Sequence, residues 1–134
     1  MHIDLDWRQY DVPDWDGVTC SVRPLEAWAY QQAMRVLQKH TGGNEEGQEK
    51  TANLAFFADE STRSTAESVL KDHVRALAGI DLKIDGAMRP ASVPDLAKYG
   101  PLFPLALIVM AHLLAISVIT ETEAGNSNAR HGKS

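Results

Sequence analysis

Few residues in this 134-residue chain are of types that carry covalent or metal chemistry. Histidines stand at positions 2, 40, 73, 112 and 131, and the one cysteine is Cys20. A helical metal site of the HExxH kind needs two imidazoles at i and i+4, so that both reach one ion. No two of these histidines have that spacing. His73 and His112 lie on apolar helical stripes, where a histidine is ordinarily a hydrogen-bonded core residue. Cys20 has no base beside it in sequence to take its proton, and only the fold could bring His73 or His112 to it. A single cysteine closes no internal disulfide and points to a reducing compartment. Asp14/Asp16 and Glu45/Glu46 are paired carboxylates, the raw material of general acid–base catalysis. Both pairs fall in expected loops, where water keeps carboxylates ordinary. Gly42-Gly43 leads into Glu45 and Glu46, the wrong charge for a loop that cradles phosphate. The chain therefore reads as non-enzymatic, with no catalytic residue, metal or cofactor.

Charge narrows the partners. Eighteen acids against 13 bases give a net charge of −5, which argues against a module built to neutralise nucleic-acid phosphates. The imbalance lies in the first half: residues 1–67 hold 12 acids and 6 bases, residues 68–134 hold 6 and 7. Asp4, Asp6, Asp11, Asp14 and Asp16 crowd the start, interleaved with Ile3, Leu5, Trp7, Tyr10, Val12 and Trp15. Asp4, Asp6, Trp7, Asp14 and Trp15 would make an acidic, aromatic docking arm. The plainer reading is an edge strand with Ile3, Leu5 and Trp7 on one face and His2, Asp4 and Asp6 on the other. No basic stretch precedes an apolar run here, so no secretory signal is expected.

The elements that must position these residues follow from periodicity and turn chemistry. Val18, Cys20 and Val22 alternate as a strand able to form a hairpin with 2–7. Pro24 occupies a first helical position, and Leu25, Trp28, Ala29, Gln32, Val36 and Leu37 carry a helix over 24–40. Residues 41–50 read as a mobile loop and 51–59 as a short helix. Ser64 and Glu67 have capping-box spacing, and Ala66, Val69, Leu70, His73, Val74 and Leu77 continue one helical stripe to Gly79. Asp85-Gly86 is a hairpin turn pair between 80–84 and 87–89. Ser92 to Leu96 looks like a further helix start. With 44% apolar and 23% charged residues, the expectation is one α+β domain over 18–120. It should be predominantly helical, three to four helices with one or two short β-hairpins, preceded by an arm at 1–17 and followed by a polar, mobile tail at 121–134.

Residues 102–119 (LFPLALIVMAHLLAISVI) contain no formal charge. Eighteen residues are at the short end for crossing a bilayer, and a mid-segment His112 would be costly there; the membrane reading is the least favoured. The preferred reading is a core helix covered on every side. A third is a helix covered on one side only, leaving Leu105, Ile108, Val109, His112, Leu113 and Ile116 for self-association or a partner. In a homo-oligomer the second and third coincide.

The last third carries a familiar order. His73-Val74, Ala78-Gly79-Ile80, a strand at 82–84, Asp85-Gly86 and Pro94-Asp95-Leu96 precede the apolar helix. Ser117 to Glu123 and Asn126-Ser127 follow it. With Val22-Arg23-Pro24-Leu25 leading into the first helix, this resembles the tail assembly chaperones of long-tailed bacteriophages over about residues 18–127. The unusually apolar 102–119 segment departs from that pattern. The resemblance implies a non-enzymatic factor in the cytoplasm of the infected host cell, binding the tape-measure protein and the major tail protein. The alternative of the same composition is a virion component, a head–tail joining or tail-completion protein.

Overall fold

A computed structural model describes residues 2–41 and 59–117. Strands β1 (Arg8–Asp11), β2 (Thr19–Val22) and β3 (Val74–Ala78) form an antiparallel sheet in the order β1-β2-β3. Helices α1 (Ala27–Thr41) and α2 (Glu60–His73) pack against each other. Strands β4 (Asp81–Ile84) and β5 (Ala87–Pro90) form a separate hairpin. Two 3-10 turns, Val93–Ala97 and Gly100–Leu102, lead into α3, helical over 103–117. The class is α+β, without clear helical dominance.

The first strand lies further along than alternation suggested. Residues 2–7 are unpaired, and β1 begins at Arg8 opposite Val22. Extending that register places Asp6 opposite Pro24, which has no N–H to offer a ladder. The chain bends there instead, with the Asp6 amide donating to the Asp4 carboxylate at 2.9 Å.

The first helix also starts late, at Ala27 rather than Pro24. The Leu25 amide donates to Ser117 Oγ at 2.8 Å and the Glu26 amide to His73 Nε2 at 3.4 Å, so distant side chains position the two residues before the helix. Ala29, Ala33 and Val36 then recur on its buried face, and the small alanines admit close approach of α2. That helix is capped by Asp59, whose carboxylate accepts from the Ser61 and Thr62 amides. The expected box at Ser64 and Glu67 lies inside the helix; a capping box forms instead at Ser92 and Asp95.

The larger correction is at residues 74–78, read from sequence as the end of a helical stripe and found as β3. The last carbonyls of a helix lack intrahelical partners. Here the Arg23 amide donates to the His73 carbonyl at 3.1 Å and Arg23 Nε to the Asp72 carbonyl at 2.9 Å. A cation at the helix C-terminus is also favoured by the helix dipole. With α2 ended there, β-branched Val74 pairs with Val22 and completes the sheet. An irregular step between Thr19 and Ser21 absorbs one extra residue of β3, with Ala76 held at φ 57°. Gly79 follows at φ 96°, packed so closely on the Gly17 carbonyl that a Cβ would lie 2.1 Å from its oxygen.

The Asp85-Gly86 turn forms as read, both residues at positive φ. In α3 the exposed residues are Pro104, Ala111 and Ala115, with Ile108 and His112 half-buried. This segment is long and apolar enough to cross a membrane by length and composition alone, yet most of it is buried within the chain. The sheet, the helices and the turn residues Leu96, Ala97 and Leu102 share one apolar cluster with it. Of the expected loop at 41–50 and short helix over 51–59, all but Thr41, which ends α1, and Asp59, which caps α2, lies outside the described residues, as does the tail at 121–134.

Candidate functional site

The sheet has two faces, and they differ in kind. On the inner face, Arg8, Tyr10, Cys20, Val22 and Val74 share one side through their cross-strand pairing. Tyr10 stacks on His112 of α3, ring centroids 3.6 Å apart and 5° from parallel. Burial, and then the nearby Arg8 charge, lower the His112 pKa. Burial raises the Tyr10 pKa, with a smaller contribution from Cys20. The Cys20 thiol is pushed up to about 11 by burial, so at neutral pH it is a protonated core group and no nucleophile.

On the outer face Arg23 and Arg75 flank the indole of Trp7. The guanidinium carbons lie 4.8 Å and 4.1 Å from its ring centroid, within cation–π range. Continuing the β1–β2 register one residue puts Trp7 opposite Arg23, while Arg75 pairs with Ser21 on the same side. Three segments distant in sequence thus meet at one spot. Among the described residues neither Arg23 nor Arg75 has a carboxylate partner.

The buried titratable groups elsewhere are held by structural bonds. His73 is fully buried, with Nδ1 2.8 Å from the Val69 carbonyl. That bond makes Nδ1 the donor and leaves Nε2 to accept from the Glu26 amide. The imidazole thereby ties the end of α2 to the start of α1. Asp95, also buried, accepts two 2.8 Å bonds from the Arg89 guanidinium and further bonds from the Ser92 amide and hydroxyl. The Arg89 bonds, with help from Ser92, hold its carboxyl well below the usual carboxylate range. They also anchor the β4–β5 hairpin, whose Met88 is 63% exposed, to the body of the fold. An open cleft of about 430 Å³ lies alongside Asp95, lined by Glu60, Arg63, Ser64 and Glu67 of α2 and by Lys98. Its mixed charges show no bias towards one ligand class. No group of three or more His, Cys, Asp or Glu able to hold a metal occurs among the described residues.

The structure divides the residues that sequence grouped as docking surfaces. Leu105, Val109 and Leu113 are fully buried, and Ile116 is buried. Within this chain they face its own core, because the helices, the sheet and the turns surround α3. Ile108 and His112 remain at the edge, and Tyr10 covers the His112 ring. The acidic arm does not act as one unit either. Asp4, Asp6 and Trp7 lie before β1, whereas Asp14 and Trp15 belong to the β1–β2 loop at its other end. That loop is closed by hydrogen bonds from the Val12 amide to the Val18 carbonyl and from the Val18 amide to the Trp15 carbonyl. The Arg23–Trp7–Arg75 grouping escaped the sequence reading because Arg75 was assigned to a helix.

No known protein family, curated protein or solved structure matches the chain.

Proposed function

We propose that this chain is a non-enzymatic protein-binding factor, a tail assembly chaperone of a long-tailed bacteriophage. It acts in the cytoplasm of the infected host on the tape-measure protein and the major tail protein. The observation that carries the protein-binding part is the distribution of exposed apolar side chains. Ile3, Leu5, Trp28, Met34 and Met88 stand at the surface of a small acidic fold whose most apolar helix is already buried. Large apolar side chains left in water are surface that a protein partner can cover. Commitment of His73, His112, Cys20 and Asp95 to packing and hydrogen bonds supports the non-enzymatic part. The tail-assembly part rests on the resemblance over residues 18–127.

The test is co-expression of the tagged chain with the tape-measure protein of its own genome and, separately, with the major tail protein. Co-purification with the tape-measure protein is expected, together with absence of the chain from purified virions by mass spectrometry. Presence in virions at stoichiometric level would move the assignment to a head–tail joining or tail-completion protein. Failure to bind either protein would remove the tail reading altogether.

A further inference from the structure

From the outer face of the sheet we infer that the chain forms a two-fold symmetric dimer, in which Asp6 of each copy meets Arg75 of the other across Trp7. A two-fold interface buries the same patch from both copies, so the patch must complement itself. The surface around Trp7 has that property. The Arg23 and Arg75 guanidiniums lie 4.8 Å and 4.1 Å from the ring. Asp6 is exposed and immediately precedes Trp7 in the chain. Neither Asp6 nor Arg75 has a partner of opposite charge among the described residues. A two-fold axis beside the indole that brings each Asp6 to the other copy's Arg75 gives two equivalent Asp6–Arg75 pairs.

The same operation covers apolar surface. Ile3 and Leu5, exposed at 46% and 64%, precede Asp6 in the same segment and would close over the second copy's sheet face. Arg23 is held by its Nε bond to the Asp72 carbonyl, so this side of the patch is formed before association and loses little freedom on binding. A polyanion such as nucleic acid fits less well: the chain's net charge is −5, and exposed Asp4 and Asp6 lie just before Trp7 in the chain. The dimer is a property of this chain alone and holds whether or not it binds tail proteins.

Sedimentation equilibrium of the full chain tests it, with no partner present. The expected particle has twice the 14.7 kDa chain mass. Its dissociation constant should rise on going from low to high sodium chloride, as for an interface held by exposed charge pairs. Arg75→Glu and Asp6→Arg should each weaken dimerisation at least tenfold, with the monomer still folded by circular dichroism. The double charge swap should restore the dimer. Should Arg75→Glu fail to fold, Arg75→Gln and Asp6→Asn make the same comparison without introducing opposite charge. A chain that stays monomeric at millimolar concentration overturns the inference. So does a dimer indifferent to both single changes, or a double swap no tighter than the singles.

Discussion

The helix over 103–117 and the segment before β1 present opposite relations between composition and exposure. The helix is almost wholly apolar, yet exposes only Pro104, Ala111 and Ala115 fully. The segment 2–7 is rich in aspartate, yet leaves Ile3 and Leu5 in solvent. What decides is the covering available, not the hydrophobicity of the run. The helix shares its apolar cluster with two helices, a sheet and a turn. Before Trp7 the segment has no strand to pair with, because Pro24 follows the strand that would have extended beside it. An interaction surface in a small domain is accordingly sought where covering fails, even if the local composition is polar.

Truncating the helix and truncating the segment should therefore have opposite consequences. Leu113→Ala removes a fully buried side chain and is expected to cost about 2–5 kcal/mol in urea unfolding, cavity included. A loss below about 1 kcal/mol would mean that the helix is poorly covered and the contrast false.

The turn that feeds the helix comes next. Asp95→Ala leaves Arg89, Ser92 and the hairpin without their common acceptor; the expected loss is about 1–3 kcal/mol. The same residue sets an acid limit. Its folded pKa is lowered, so its contribution is complete above the ordinary aspartate value near 4 and is lost as pH falls below it. The variant's stability should be flatter than the parent's in that range.

A smaller effect lies where β1, which follows the segment, meets the helix through Tyr10 and His112. The folded His112 pKa is lowered, so the unfolded chain takes up the proton first. Stability should decline as pH drops from about 6.5 towards the folded value. His112→Phe, which keeps a ring under Tyr10, should remove this part of the pH dependence while leaving the lower Asp95 transition intact. An unchanged profile would show that the stacked imidazole is as free to protonate as one in water. Smallest of all, Leu5→Ala should shift monomer stability by no more than about 0.5 kcal/mol. A larger loss would show that the segment is covered within its own chain.

Local chemistry made some of this fold readable and left the rest hidden. The β2 alternation, the body of α1 and the Asp85-Gly86 turn depend on nearest neighbours along the chain, so periodicity and turn residues report them. The end of α2 does not. Val74 and Leu77 continue the helical spacing faithfully, and only Arg23, 50 positions before His73 in sequence, converts the next five residues to strand. The candidate site shared that fate. Asp4, Asp6 and Trp7 were legible as a polar, aromatic segment, but their basic counterpart needed Arg75 to sit on a sheet. The α1 start was displaced in the same way, by partners at His73 and Ser117 that no local pattern contains.

Ser117 has a consequence for the order of events during folding. Its hydroxyl accepts from the Leu25 amide and donates to the Leu113 carbonyl at 2.7 Å, joining the approach to α1 to the end of the described α3 across 92 positions. The sheet likewise waits for β3 before β2 has both neighbours. Such long closures pay their loop entropy before the contacts return it, and they slow folding. During synthesis β1, β2 and α1 emerge with neither β3 nor α3 to bury them. Until α3 arrives to seal the core, their apolar faces need shelter from other chains.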